Sequence, residues 1–233
     1  MEEKLAKKIL ERNIQDYNKI AQKFSETRNY LSSDFKFMQK WAKKNDRILD
    51  LGCGNGRLSE LFPKPSYNYI GTDPSQELIK MARSRYPNQS FKVSAPLSLS
   101  FSSNFFDIIY CLAVLHHIPS KEYRVKFIQE ICRTLKKDGV CILTVWDIKQ
   151  HSCISKSILI NNLQKIIGLN QMDFNDTLYP FKDSSGNTII QRYLHGFTLN
   201  ELKNLFIKSK FKILDSGTLY RGKYQNLYII AKK

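Results

Sequence analysis

Arg47-Ile48-Leu49-Asp50-Leu51-Gly52-Cys53-Gly54-Asn55-Gly56 runs from a short apolar strand, through an acid, into a Gly-x-Gly-x-Gly loop. Such a run reads as a buried strand leaving a sheet at a ligand-binding turn. Glycines there let the backbone turn tightly and approach a ligand without Cβ clashes. The next apolar run, Tyr69-Ile70-Gly71-Thr72, also ends in an acid, Asp73. A carboxylate in that place can accept hydrogen bonds from ribose hydroxyls.

Outward from the loop, strands and helices alternate. Residues 2–23 carry Leu5, Ile9, Leu10, Ile14 and Tyr17 at helical spacing. Phe35 to Ala42 reads as a second helix, and a helix is expected directly after Gly56. Ser75 opens a helix that runs to Arg85, and Ser90 to Val93 is a short strand. Phe106 to Leu112 is continuously apolar, as a strand buried on both faces must be. Tyr123 to Leu135 is helical, Lys136-Lys137-Asp138-Gly139 a turn, and Val140 to Trp146 another buried strand. Thr198 caps a helix through Lys208; Lys210 to Ser216 and Leu227 to Ala231 are the last two strands. The pattern is α/β with a mainly parallel sheet. Residues 147–197 interrupt it. They are rich in Asn, Ser and Asp, with a helical patch at Ile154 to Ile167, and are expected to form an insertion over the substrate side.

The 233 residues, 42% hydrophobic and 12% aromatic, suffice for a full core. One domain is expected, with an N-terminal helical segment over 1–45. No run approaches the length of a membrane helix, and the N-terminus lacks the apolar stretch of a signal peptide, so the reading is soluble and cytoplasmic, with the nucleus open as well. Five cysteines without CxxC spacing argue against a zinc site or a disulfide framework. The net charge of +16 suits a polyanionic partner or a lysine-rich surface kept for solubility. Of it, +7 falls in residues 151–233 and +4 in residues 1–50.

Gly-x-Gly-x-Gly differs from the Gly-x-Gly-x-x-Gly of pyrophosphate-binding dehydrogenases. S-Adenosylmethionine fits better: it has no phosphate and carries an ammonium that Asp50 can face. The expected cofactor positions are Asp50, Gly52, Cys53, Gly54, Asn55, Gly56 and Asp73.

These features together resemble the class I S-adenosylmethionine-dependent methyltransferases. The resemblance implies a Rossmann-like seven-stranded, mostly parallel sheet with helices on both faces and an antiparallel last strand pair. It implies Pro74, Ser94, Ala95 and Leu112 as cofactor positions as well. Many relatives carry an acid after the third strand for the adenine; this chain has Val93-Ser94-Ala95, leaving Ser94 or backbone groups for it. Further segments resemble the eukaryotic tRNA wobble-uridine carboxymethyl methyltransferases and the methyltransferase domain fused to an AlkB-type tRNA hydroxylase. They are Tyr17 to Arg28, Ala113-Val114-Leu115-His116-His117, Arg124, Val145-Trp146 with Gln150, and Gln191 to Phe197. Tyr123, Leu194 and Tyr179-Pro180-Phe181 depart from that family's pattern. The resemblance implies methylation of the carboxylate of 5-carboxymethyluridine, the tRNA anticodon stem-loop as partner, and a small zinc-binding activator subunit. A methyltransferase for a small molecule or another RNA, and a non-catalytic module that kept the fold, are the competing readings.

A carboxylate is already ionised at neutral pH, so its methylation needs placement and no general base. Arg28, His116, Trp146, Arg192 and His195 are the expected acceptor-side residues. Lys203, Lys208, Lys210 and Lys212 could face the tRNA backbone or simply solvent. If the charge serves RNA, the two basic segments should flank the sheet edge that bears Gly52 and His116. An activator subunit would require apolar surface along one sheet edge.

Overall fold

The computed structural model describes residues 1–28, 31, 36–150, 152–183, 185–221 and 224–233. Nine strands occur among them: β1 Arg47–Leu51, β2 Asn68–Asp73, β3 Ser90–Val93, β4 Phe106–Leu112, β5 Leu135–Trp146, β6 Asp176–Lys182, β7 Thr188–His195, β8 Lys212–Arg221 and β9 Tyr224–Lys232. The helices are α1 Glu3–Glu26, α2 Lys36–Gln39, α3 Gln76–Arg85, α4 Lys121–Thr134, α5 Ser152–Ile166 and α6 Leu199–Lys208. Seven strands form one sheet in the order β3-β2-β1-β4-β5-β9-β8. The pairs among β1 to β5 are parallel, and β9 runs antiparallel to both β5 and β8. The expected sheet and its closing antiparallel pair are therefore present.

Successive strand residues point to opposite faces, and both faces are covered. Leu49, Ile109, Leu143 and Ile229 pack with Phe127 and Ile131 of α4 and with Leu202 and Phe206 of α6. Ile48, Ile108, Ile142 and Ile230 pack on the other face with Met38, Ile79 and Ala82. Ser75 Oγ accepts from Leu78 N and Thr198 Oγ1 from Glu201 N, so both expected N-caps start their helices.

Three local expectations fail. The segment after the glycine loop is a single 3-10 turn, Arg57–Leu61, and not an α-helix. Pro63 follows closely, and the residue before a proline is pushed out of the helical region. Lys136 to Gly139 is not a free turn: it lies within β5, where Phe106 opposes Leu135 but Ile108 opposes Val140. The surplus residues bulge there, with Asp138 at φ +66°. Of the helix expected over 35–42, residues 36–39 are helical, and Phe35 lies outside the described residues. Among the described residues, no helix is long and apolar enough to cross a membrane.

The segment between β5 and α6 folds as α5 followed by the antiparallel β6–β7 hairpin. It has its own apolar seat, formed by Ile148, Ile154, Ile158 and Leu194.

Candidate active site

The C-terminal ends of β1, β2 and β4 open onto a cavity of about 1000 Å³, with α1 along one wall and the β6–β7 hairpin along another. At its cofactor end the loop is tied to β2: Gly52 N and Cys53 N both donate to Thr72 O, at 2.7 and 2.9 Å. Gly52 sits at φ +80°, and a Cβ there would stand 2.2 Å from Val114 Cγ2. Asp73 accepts from Gly54 N at 3.0 Å and from Ser75 N at 2.9 Å. Burial nonetheless pushes its carboxyl up to about 6. Asp50 accepts from Tyr69 Oη at 2.6 Å, and burial pushes it up to about 7. Asn55 Nδ2 donates to Ser25 Oγ and Arg28 O, which fastens the end of α1 to the loop.

This donor set suits the cofactor. Two buried carboxylates beside the glycines would repel a pyrophosphate but can face an ammonium and ribose hydroxyls. Ser94 Oγ lines the cavity, is buried and has no partner, as a polar atom awaiting a ligand would be. Cys53, Pro74 and Leu112 also face the cavity, and burial raises the Cys53 thiol so that it stays neutral. Gly56 and Ala95 do not face it. Gly56 lies behind the loop, where a Cβ would meet the Phe91 ring at 2.7 Å, and Ala95 is exposed to solvent beside Pro96.

Trp146 and Arg192 line the rest of the cavity as expected; Arg28 lines it too, beside the glycine loop, with its guanidinium 4.0 Å from the centre of the Phe24 ring. His116 does not. It is fully buried; its Nδ1 accepts from Trp146 N at 3.4 Å, and its ring lies 4.8 Å from the Trp146 ring. The cavity-facing histidine is His117. The two belong to the 3-10 turn Leu115–His117, in which neighbouring side chains diverge by a third of a turn. His195 also lies elsewhere: its ring nitrogens meet Asp176 Oδ1 at 2.7 Å and Glu201 Oε1 at 2.8 Å, joining the hairpin to α6.

Sequence reasoning omitted Tyr17 from the site. Tyr17 Oη lies 2.9 Å from His117 Nε2, and His117 Nδ1 lies 3.0 Å from Tyr193 O. A carbonyl only accepts, so Nδ1 carries the proton and Nε2 accepts from the phenol. Burial holds His117 down at about 3, so the ring is neutral. Burial raises the Tyr17 phenol, and the nearby charge of Arg192 partly offsets that rise. The helical pattern of residues 2–23, in which Tyr17 is one of the apolar positions, contained the signal for it.

This sheet order, the glycine loop with its carboxylates and the cavity beyond them define an S-adenosylmethionine-dependent methyltransferase of the class I fold. Residues 49–143 match the family model described as "Methyltransferase domain". In particular, the chain is similar to a protein of Schizosaccharomyces pombe named tRNA (carboxymethyluridine(34)-5-O)-methyltransferase, 29% identical over 229 residues, covering 94% of this chain and 95% of that one. A protein of the same name from Saccharomyces cerevisiae is 32% identical over 58% of this chain, which spans 48% of that relative. Among solved structures, a SAM-dependent methyltransferase from Methanosarcina mazei superimposes with a TM-score of 0.71 at 25% identity, covering 88% of this chain and 98% of that one.

Proposed function

We propose that the protein methylates the carboxylate of 5-carboxymethyluridine at the tRNA wobble position, giving the methyl ester. One observation carries this reading. Beyond the glycine loop the cavity holds the Arg192 guanidinium, a phenol and a neutral histidine, with Arg28 between them and the loop, while the only acids among the described lining residues, Asp50 and Asp73, stand at the cofactor end. Among the described residues, no side chain there can take a proton at neutral pH, because the His117 lone pair is already engaged by Tyr17. The acceptor must therefore arrive ionised, as a carboxylate does. The activity named for the S. pombe relative agrees with this.

S-Adenosylmethionine supplies an electrophilic methyl group on a sulfonium. Asp73 would accept from the ribose hydroxyls, Asp50 would face the ammonium and Ser94 would meet the adenine. Arg192 and Arg28 orient the acceptor carboxylate, and Tyr17 and His117 fix the Arg192 side of the pocket. Trp146 forms the floor for the base. Alignment matters more than neutralisation, because a tight ion pair would stabilise the ground state as well.

The β6–β7 hairpin and α5 form the substrate side of the domain and meet the anticodon stem-loop. A small zinc-binding activator subunit belongs to the same reading, as does a cytoplasmic location. Among the described residues, six of the eleven exposed aliphatic side chains lie on α5 and the turn just after it, while Val93 and Leu214 are exposed on the two edge strands; the larger patch, on α5, is where that subunit would dock. Mass spectrometry of nucleosides from tRNA incubated with protein, activator and cofactor tests the reading. Conversion of the acid to its methyl ester is expected; unchanged acid, with cofactor binding intact, refutes it.

A further inference from the structure

Arg192 is held in an unusual way. β6 and β7 pair so that Tyr179 stands directly across from Arg192, and Phe181, two residues further along β6, shares that face. The guanidinium carbon lies 5.8 Å from the Tyr179 ring centre, 5.2 Å from that of Phe181 and 5.3 Å from that of Trp146. All four side chains face the cavity. Arg192 is only 6% exposed, and its Nε has no hydrogen-bond partner among the described residues.

A buried guanidinium is costly unless its charge and its donors are met. Aromatic faces stabilise the charge through their quadrupoles. They cannot accept the N–H bonds that lie in the guanidinium plane. The collar thus holds the charge and leaves an in-plane donor open, an arrangement that a planar anion completes through charge-assisted hydrogen bonds. Neither ring is among the groups that hold the glycine loop and Asp73, which are tied to Thr72, Ser75 and one another.

We infer that Tyr179 and Phe181 are positioning residues that hold the Arg192 fork for the acceptor carboxylate, so that the hairpin sets the preference for an ionised acid over its neutral amide. This role presupposes the carboxylate acceptor proposed above. Leucine at either position keeps apolar volume and removes the ring face.

The experiment compares binding of two anticodon stem-loops, carrying 5-carboxymethyluridine or 5-carbamoylmethyluridine at the wobble position, in the presence of S-adenosylhomocysteine. Wild type is expected to prefer the acid. Phe181→Leu and Tyr179→Leu, each tested singly, should cut the acid-to-amide preference by about threefold to tenfold. KM for the acid stem-loop should rise in step, with kcat and S-adenosylhomocysteine affinity little changed. Phe181→Trp should restore the preference. A general loosening of the fold would weaken both stem-loops alike. Variants that bind the cofactor product and keep the wild-type preference overturn the role of the rings alone. A wild type without preference overturns the carboxylate acceptor, and this role with it.

Discussion

His116 and His117 share one turn and have opposite surroundings. His116 is sealed against Trp146, and burial holds its ring well below the ordinary histidine range. His117 meets the cavity and fixes the phenolic proton of Tyr17, which leaves the Tyr17 oxygen facing the nearby charge of Arg192. Removing that oxygen leaves the buried His117 Nε2 without its partner, at a cost of about 1–3 kcal/mol, and frees the ring from its fixed orientation. Tyr17→Phe should lower kcat/KM for tRNA at least tenfold, read by steady-state kinetics, with S-adenosylmethionine affinity unchanged. Asp50 permits a prediction about pH. Its carboxyl stands near 7 in the folded protein against an unfolded value of 3.8, so ionising it costs the empty protein stability as pH rises through 7. Asp50→Asn should therefore raise the Tm of the free protein more at pH 8 than at pH 5, by about 2–4 °C for each kcal/mol relieved. The same carboxylate must be charged to face an ammonium. Calorimetry should thus show wild-type cofactor affinity falling as pH drops below 7, and Asp50→Asn should bind weakly throughout.

At the scale of elements, α5 combines two opposed faces. Ile154 and Ile158 are buried against Leu194, whereas Leu159, Ile160, Leu163, Ile166 and Ile167 are all more than half exposed. An apolar face of this size favours association. Leu163→Lys with Ile167→Lys should reduce self-association of the isolated chain, measured by light scattering, and abolish binding of an activator subunit that docks there. The cavity side of α5 is untouched, so methyl transfer by the isolated chain should persist. Elements differ in how plainly the sequence announces them. β1 and β4 are unbroken apolar runs, because a parallel strand is buried on both faces, and Ser75 and Thr198 advertise their helices through capping chemistry. The β6–β7 hairpin was illegible. Pro180 interrupts β6, a residue that argues against a strand, and the two-stranded sheet depends on contacts with α1 and α5 from distant parts of the chain. The site shares this division. The glycine loop and Asp73 follow from local pattern. The choice of His117 over His116, and the withdrawal of His195 to Asp176 and Glu201, depend on where a 3-10 turn and that hairpin aim their side chains.

At the scale of the whole molecule, part of the basic charge lies away from the cavity. β9 ends beside the start of the buried part of β5, and Lys232 pairs in register with Val140 and Lys212. Lys232 meets Asp138 at 2.8 Å, Lys136 meets Asp107, and Lys233 Nζ donates to Leu135 O. These lysines therefore occupy the edge of the sheet opposite Gly52 and the cavity, so part of the +7 of the last third serves that remote edge. The cations left for RNA are fewer. Lys23 lies in the last turn of α1, one residue from the Phe24 ring that covers Gly54, and near Asp183 at the hairpin tip, whose carboxyl is lowered chiefly by hydrogen bonds from Asn187 and Ser185 with Lys23 adding to them; Lys182 ends β6. Phosphate contacts add little sequence information but make affinity fall with salt, by about one unit of log–log slope for each lysine contact. Lys23→Glu with Lys182→Glu should weaken tRNA binding uniformly and flatten its salt dependence by about two such units. Lys212→Glu with Lys232→Glu changes the net charge equally and should leave both affinity and slope as in wild type. Equal losses from the two pairs, measured by filter binding across a salt series, would mean that the whole surface acts as a diffuse polyanion attractant. A loss confined to the first pair would mark the rim of the cavity as the place where the tRNA backbone lies.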